Sequence, residues 1–155
     1  MNSLPEELAS RLSAAPDRAA AMKESLRWII GRFRSETGTI HRLDSGRQVL
    51  QLVAEIGLPP ALLEAVKLIP VGKGIAGQTV ARGEPVSICN LQADAGTARP
   101  AARQTGVGGA LCVPIRMEEQ IVGTLGVGTV RQYEYTKDET RELEELGRLI
   151  APHLG

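Results

Sequence analysis

The sequence contains few aromatic residues and has no net charge. Phenylalanine, tryptophan and tyrosine make up 3% of the 155 residues, and 18 lysines and arginines balance 18 aspartates and glutamates. Surfaces that bind nucleic acids combine an excess of positive charge with aromatic side chains that stack on the bases. The chain lacks both features, so we do not expect nucleic acid as a partner.

Long apolar segments and metal-ligand clusters are also missing. The longest mostly apolar stretch, 106–115, has about half the length of a membrane-spanning helix, and the acidic start 1–7 contains no apolar signal segment. Only two cysteines and two histidines occur, and none has the spacing of a metal site. The sequence therefore predicts a soluble cytoplasmic protein with no metal and no membrane partner.

The length and the hydrophobic content indicate one globular domain. A domain takes roughly 100–200 residues, and 43% of this chain is hydrophobic, which is enough for a core. Seventeen glycines and nine prolines are scattered along the chain, as is typical of tight turns between short elements. We expect residues 1–16 to form a helical extension and residues 17–155 to form the domain.

Helical patterns occupy both ends of the chain. Ser3 and Glu6 have the spacing of a capping box and predict a short first helix. A longer helix is predicted after Pro16, and Thr136 with Glu139 forms a second capping box that begins the last helix. The two longer helices each carry an apolar stripe. The stripes consist of Met22, Leu26, Ile29, Ile30 and Phe33 in the first case and Leu143, Leu146, Ile150 and Leu154 in the second.

The middle of the chain has the two-residue period of strands. Alternation through 39–43 and 49–56 predicts an antiparallel hairpin, and residues 110–115 and 120–130 predict a second one. Antiparallel strands with helices before, between and after them predict an α+β fold with a central antiparallel sheet and helices on its faces. A doubly wound parallel sheet is disfavoured because no alternating β-α series occurs.

The segment between the two hairpins is predicted to be mixed. A short helix follows Pro60, a second helical stretch runs through 75–80, and a brief strand occupies 85–88. Residues 90–106 lack strong periodicity and are expected to form a loop with one short helix at 101–104.

The run Gly72-Lys73-Gly74-Ile75-Ala76-Gly77 matches G-x-G-x-x-G. A dinucleotide site would place this motif in an opening β-α-β unit, whereas here it follows an antiparallel hairpin. The favoured interpretation is a turn that begins a helix. A local anion contact at Lys73 and Gly74 is the second interpretation, because a cation beside a helix N-terminus suits a carboxylate or a phosphate.

The cysteines and His41 allow two interpretations each. Cys112 stands in a predicted apolar strand, where a thiol behaves as a small hydrophobe, and Cys89 ends a predicted strand and is the more reactive candidate. Structural thiols are favoured over a redox pair, because cytosolic disulfides are rare. His41 alternates with Ile40 and faces either the core or water. A metal or haem role for it is disfavoured.

Several runs resemble the GAF domain family. The run 69–94, which begins I-P-V-G-K-G-I-A-G-Q, resembles the centre of such a domain. The pieces L-C-V-P-I at 111–115, I-V-G-T-L-G-V at 121–127 and Y-T-K-D-E at 135–139 look like the closing hairpin and last helix of the same family. Together these pieces extend the resemblance over 17–154.

The resemblance implies a fold and a function. It implies an antiparallel sheet of five or six strands, with the first and last helices on one face and a ligand cavity on the other, beneath the segment 74–106. Members are mostly regulatory domains that bind small molecules and signal to a kinase, cyclase, phosphodiesterase or transcription activator. The lining residues implied for this chain are Ile75, Val86, Ile88, Cys89, Leu91 and Cys112.

Three known kinds of GAF ligand chemistry fit this sequence poorly. Members that bind cyclic nucleotides carry an Asn-Lys pair, but Leu91 follows Asn90 here. Members that attach bilins use a cysteine beside a histidine, and neither cysteine of this chain has that neighbour. Free methionine-R-sulfoxide reductases share a cysteine in the element G-V-C-G, where this chain has G-I-A-G at 74–77.

We therefore expect a regulatory domain without enzymatic activity. It would bind an unidentified small molecule and transmit occupancy through terminal helices that pair two copies in a dimeric bundle, as the narrow apolar stripe of the last helix suggests. One alternative is a thiol-dependent reductase that uses Cys89 and Cys112. Another is a structural dimerisation module whose pocket is filled by its own side chains.

Overall fold

The computed structural model describes residues 4–14, 16–89 and 108–154. The helices in these ranges are α1 (Leu4–Ala14), α2 (Arg18–Arg32), α3 (Pro60–Val66), α4 (Gly74–Arg82) and α5 (Lys137–Ile150), with a short 3-10 helix at Ala151–His153. The strands are β1 (Thr37–Asp44), β2 (Val49–Ile56), β3 (Leu68–Pro70), β4 (Val86–Ile88), β5 (Ala110–Met117) and β6 (Gln120–Gly128). The predicted loop at 90–106, its helix at 101–104 and the first capping residue Ser3 lie outside the described residues.

The strands form a six-stranded sheet in the order β3-β2-β1-β6-β5-β4. Every neighbouring pair in this order is antiparallel, so the predicted α+β class with a central antiparallel sheet is confirmed. The sequence did not predict β3, which pairs residues 68–70 with the start of β2. Three residues with a proline among them are too few for a recognisable strand period.

Helices α1, α2 and α5 cover one face of the sheet. The two apolar stripes face inward, so that Met22, Leu26, Leu143 and Leu146 are fully buried. Gly38 of β1 allows this close packing, because a Cβ there would lie 2.7 Å from side-chain carbons of both Leu26 and Ile30. The terminal helices therefore pack on one face, as predicted.

This packing buries the same apolar stripes from which the sequence predicted a dimeric bundle. Both stripes are buried within one copy of the chain, at 5% exposure or less for every member except the partly buried Ile30. A dimer through the terminal helices would have to use their outer faces. Those faces are charged, and one ion pair, between Arg32 of α2 and Glu142 of α5 at 3.3 Å, links the two helices within the chain.

Helix α1 belongs to the same packed layer. Its Leu8 and Leu12 are buried in the core that α2 and α5 form. The helix predicted as an extension is thus held by burial of apolar surface, and the division of the chain at residue 16 stays a prediction.

The ends of the longer helices follow the sequence signals. Thr136 Oγ1 accepts a hydrogen bond from Glu139 N at 3.0 Å, and the Glu139 carboxylate accepts one from Thr136 N at 2.8 Å, so the second capping box is present. Helix α4 ends at Gly83, whose φ of 68° is readily adopted only by glycine. None of the helices in the described ranges is long and apolar enough to cross a membrane.

Candidate functional site

A cavity of about 120 Å³ lies on the face of the sheet opposite the terminal helices. Strands β1, β5 and β6 form its floor, and helices α3 and α4 form its roof. Apolar side chains dominate the roof, with Leu62 and Val66 from α3 and Ile75 and Ala76 from α4. These helices stand over the sheet because Ala76 packs with Leu50, Ile69 and Cys112 in a second apolar cluster, on this face.

Small residues in the floor leave the space open. Gly126 and Gly128 of β6 and Ala110 of β5 line the cavity with little or no side chain. At Gly126 a Cβ would lie 3.0 Å from Thr39 Oγ1 and 3.9 Å from Cys112 Sγ, so a larger residue would occupy the hollow. The glycine pattern of the last strand thus creates a concave apolar surface, which is the usual form of a small-molecule site.

His41 is one of three polar side chains of β1 in the wall, together with Thr37 and Thr39. The register places it beside Thr124 of β6 and on the opposite face from Ile40, which lies in the core under the terminal helices. Its side chain is 1% exposed. Its Nε2 lies 2.8 Å from the carbonyl oxygen of Val66, and its Nδ1 has no hydrogen-bond partner among the described residues.

Burial keeps His41 uncharged. Desolvation lowers the pKa of His41 to about 4, against a smaller opposing effect of the hydrogen bond to Val66. A carbonyl oxygen can only accept, so Nε2 carries the proton and Nδ1 presents a lone pair. Among the described residues that line the cavity, none therefore carries a charge at neutral pH.

Cys112 lies in the floor as a protonated thiol. It pairs with Gly126 on β6 and with Val86 on β4. Burial raises the pKa of Cys112 to about 11, and the nearby hydroxyls of Thr79 and Thr124 lower it by less. Because the thiolate is the nucleophile, Cys112 is unreactive at neutral pH.

The structure brings only some of the predicted lining residues together. Ile75, Cys112 and Gly74 line the cavity. Val86 is buried beside Cys112 without reaching the cavity, and Ile88 packs against Leu62 outside it.

The remaining predicted site residues lie elsewhere. Cys89 is exposed, in a shallow groove shared with Tyr135 of the segment before α5. Lys73 is exposed at the start of α4 and does not line the cavity. Leu91 lies outside the described residues. Ligand contacts of all these side chains stay predictions.

The two cysteines are too far apart to form a disulfide in this conformation. Cys112 on β5 pairs with Val86 on β4, and Cys89 follows Val86 by three residues in the sequence. Three residues of extended chain span about 10 Å, whereas the Cα atoms of a disulfide lie within about 7 Å. The interpretation as a redox pair would require the β4 edge to move.

The glycines at 72–77 build a tight turn. The Gly72 N–H donates to the carbonyl of Gly77 at 2.8 Å, and the Lys73 N–H donates to that of Pro70 at 3.1 Å. A Cβ at Gly77 would lie 2.5 Å from the Pro70 oxygen. Both amides are used within the turn, so the favoured interpretation, a turn that begins a helix, accounts for the motif.

Sequence reasoning missed the side chains that dominate the site. His41, Leu62 and Val66 come from elements that only the tertiary fold brings together. Alternation in β1 indicated that Ile40 and His41 face opposite ways without indicating which one faces the cavity. In the described ranges, no group of three or more His, Cys, Asp or Glu is placed to hold a metal ion.

Comparisons with known proteins agree with this architecture. The family model described as GAF domain matches residues 15–154. No curated protein shows significant similarity to the chain. The GAF domain of a phosphoenolpyruvate-protein phosphotransferase from Acinetobacter is 17% identical with a TM-score of 0.78, and the match covers 99% of this chain and 94% of that one.

Two further solved structures share the fold. A free methionine-R-sulfoxide reductase from Neisseria meningitidis in complex with its substrate is 17% identical, with a TM-score of 0.80 over 97% of this chain and 85% of that one. A GAF domain/HD domain protein from Geobacter sulfurreducens is 15% identical, with a TM-score of 0.71 over 92% and 97%. At these identities the likeness shows the fold alone. The family match covers nearly the whole sequence, and the chain therefore belongs to the GAF domain family.

Proposed function

We propose that the chain is a regulatory domain that binds a small molecule in the cavity between the sheet and helices α3 and α4. The observation that carries the proposal is the cavity itself, which is apolar and partly roofed. Few pockets of this kind occur in one small domain. The GAF fold, generally a small-molecule sensor, supports the same function.

Occupancy of the cavity would reach the terminal helices through the sheet. Strands β1, β5 and β6 carry the cavity on one face and the packed helices α2 and α5 on the other. Gly38 lines the cavity and also contacts Leu26 and Ile30 of α2, so a shift of β1 moves that contact. A ligand can displace these helices by no more than its differential affinity for the two arrangements.

A cavity-filling variant tests the proposal. Ala76 lines the cavity from α4, whereas Ala81 on the same helix is exposed. Ala76→Leu would occupy the cavity, and Ala81→Leu is the matched control. We expect a metabolite library to raise the Tm of the wild type and of Ala81→Leu for at least one compound, and not that of Ala76→Leu. A library without any hit, together with native protein that carries no bound molecule, would contradict ligand sensing.

The thiols support a regulatory role over a catalytic one. The free methionine-R-sulfoxide reductase from Neisseria meningitidis shares the fold, which makes reductase activity the second candidate. In this chain Cys112 is buried with a raised pKa and Cys89 is remote from the cavity. We expect no turnover of free methionine sulfoxide with a thioredoxin system. Turnover that disappears in the Cys89→Ser, Cys112→Ser double variant would establish the reductase instead.

Dimerisation, location and output are separate proposals. We propose a cytoplasmic domain that acts on an output domain or on a kinase, cyclase or transcription partner. A homodimer would use the charged outer surface of the terminal helices, since their apolar stripes are buried in the protomer. Light scattering at micromolar concentration tests the dimer, and a monomer there would leave ligand binding intact. The third interpretation, a module with a filled pocket, is disfavoured by the open volume of the cavity.

A further inference from the structure

Arg116 joins the roof of the cavity to the last helix. It lies near the end of β5, where the pairing with β6 is irregular between Ile115 and Arg116. One guanidinium nitrogen, Nη2, donates a hydrogen bond to the carbonyl oxygen of Gly83, the residue at which α4 ends. The other, Nη1, lies 3.6 Å from the Glu144 carboxylate of α5. A single side chain therefore contacts one element from each face of the sheet.

The two contacts of Arg116 differ in character. The hydrogen bond to Gly83 places a cation at the C-terminal end of α4, where the helix dipole favours positive charge. The separation from Glu144 exceeds the usual length of a charge-assisted hydrogen bond, and the two side chains are 24% and 28% exposed. Solvated ion pairs of this kind contribute little stability. If the two partners move apart, we expect the guanidinium to stay with Gly83 and to leave Glu144.

Ligands larger than a single ring require the roof to move. The cavity has a volume of about 120 Å³, and a dry cavity of about 150 Å³ in another protein binds one benzene molecule. Ile75 and Ala76 line the cavity from the first turn of α4. Gly83 ends the same helix about two turns later, roughly 10 Å along its axis. A ligand that lifts the first turn therefore also displaces the carbonyl oxygen that Arg116 holds.

Helix α5 does not share this movement, because it is packed on β5. A Cβ at Gly147 would lie 3.5 Å from Ile115 Cγ1, and the neighbouring Leu143 is fully buried in the core. The backbone of Arg116 belongs to the same strand. A shift of α4 therefore changes the distance between Gly83 and Glu144, and the flexible Arg116 side chain spans that distance.

Glu144 has a second cation within reach on its own helix. Arg148 is exposed and lies four residues further along α5. A glutamate four residues before a basic residue is the favourable order for a pair across one helical turn. Both side chains line the same groove on the outer surface of α5. Glu144 can thus exchange one partner for another without becoming an unpaired charge.

From these contacts we propose that Arg116 and Glu144 form a switch that reports occupancy of the cavity to α5. With the roof closed, Arg116 links Gly83 to Glu144. With the roof displaced, Arg116 follows Gly83, and Glu144 pairs with Arg148 instead. The exchange redistributes charge on the outer surface of α5, where a partner or an output domain would detect it. The inference rests on the proposed function and specifies how the signal leaves the cavity.

A cavity-filling variant tests the switch without a known ligand. Ala76→Leu occupies the cavity, and Ala81→Leu at an exposed position of α4 is its control. Two-dimensional ¹H–¹⁵N NMR of the full chain reports the backbone amides of α5 and the Nε–H groups of its arginines. We expect Ala76→Leu to shift the amides around Glu144 and the Nε–H resonances of Arg116 and Arg148. Ala81→Leu should shift none of them.

Three charge variants identify the route of the signal. Arg116→Gln removes the link, whereas Glu144→Gln removes the charge on α5 and leaves the bond to Gly83 intact. In both backgrounds the shifts that Ala76→Leu causes around position 144 should be lost. Glu145→Gln removes the same charge at the neighbouring exposed position and is the matched control, so the shifts should be retained in that background.

A second measurement requires no variant of the cavity. Coupling between two sites is reciprocal, so the release of Arg116 in Glu144→Gln should loosen the last turn of α4. Hydrogen exchange of the amides in that turn should be faster than in the wild type, and Glu145→Gln should leave it unchanged. Equal exchange in Glu144→Gln and Glu145→Gln overturns the switch, even where Ala76→Leu does not fold.

The outcomes separate this inference from the proposed function. Shifts around Glu144 that persist in Arg116→Gln would mean that the sheet alone carries the signal, and the role of Arg116 would be wrong. An unchanged Arg148 resonance overturns the exchange of partners, and unshifted α5 amides in Ala76→Leu overturn the switch as a whole. Ligand binding is judged independently of all three, because it fails only when the metabolite library gives no hit and the native protein carries no bound molecule.

Discussion

The Nε2 atom of His41 lies 2.8 Å from the carbonyl oxygen of Val66, and this hydrogen bond joins strand β1 to the last residue of helix α3. It connects the floor of the cavity to its roof. Because the oxygen can only accept, the bond also fixes which ring nitrogen carries the proton. One contact thus holds α3 against β1 and determines which tautomer of His41 is present.

We expect the stability of the fold to decrease as the pH falls from about 6.5 to about 4. The pKa of His41 is lowered from its usual 6.5 to about 4 by burial, so the unfolded chain binds a proton in this range that the folded chain does not. The contribution to the free energy of unfolding amounts to roughly 3 kcal/mol at the acidic limit. Urea unfolding of the wild type and of His41→Phe at several pH values between these limits measures it.

The comparison between the wild type and His41→Phe isolates the contribution of His41 to the pH dependence, because the carboxylates titrate in both proteins. As the pH falls, the wild type should lose more free energy of unfolding than His41→Phe does. Above about pH 7.5 the difference between the two proteins should be constant. A difference that is independent of pH would show that His41 is solvated in the folded chain. His153 is exposed, and His153→Phe serves as the control for replacing a histidine outside the core.

The capping box of helix α5 provides a second prediction. Thr136 Oγ1 accepts from Glu139 N, and the Glu139 carboxylate accepts from Thr136 N and from the Tyr133 hydroxyl, the last at 2.8 Å. Thr136→Ala removes the side-chain acceptor and should destabilise the fold by about 1 kcal/mol, whereas Thr136→Ser keeps it and should cost only a few tenths. Chemical denaturation of both variants tests this, and equal losses would contradict a capping role.

Most of the architecture could be predicted because its signals are local. The two hairpins, helix α4 ending at Gly83 and the capping box at Thr136 each depend on patterns within a few residues. Strand β3 was missed for the opposite reason. Its three residues become a strand only because Ile69 packs on Leu50 beneath α4, which no local pattern indicates.

The site was harder to predict because it is assembled from distant parts of the chain. Ile75 and Cys112 were found through the resemblance to known GAF domains, while His41 and Val66 meet across 25 positions of sequence. The apolar stripe of α5 shows the same limit. The spacing of Leu143 and Leu146 fits two arrangements equally well. The helix could pair with its counterpart in a second copy, or it could pack on the sheet of its own chain.

A pair of glycine variants separates helix propensity from close packing. Gly31 in α2 is exposed, and a Cβ there would meet no other atom within 4 Å. Gly31→Ala should stabilise the fold by roughly 0.5–1 kcal/mol. Gly123→Ala should destabilise it by roughly 1–3 kcal/mol, because its Cβ would clash with the backbone oxygen of His41 and lie 2.8 Å from Leu154. Thermal unfolding of both variants checks the two opposite signs.

The two thiols should differ in reactivity toward a disulfide reagent such as DTNB. Cys89 is exposed and should react in the native protein, whereas Cys112 is buried and its pKa is raised to about 11. Native protein at pH 8 should therefore release about one equivalent quickly and the second only in denaturant. Cys89→Ser should abolish the fast phase, and Cys112→Ser should retain it. A fast phase of two equivalents would show that Cys112 is accessible from solvent, and that the cavity floor opens in the native state.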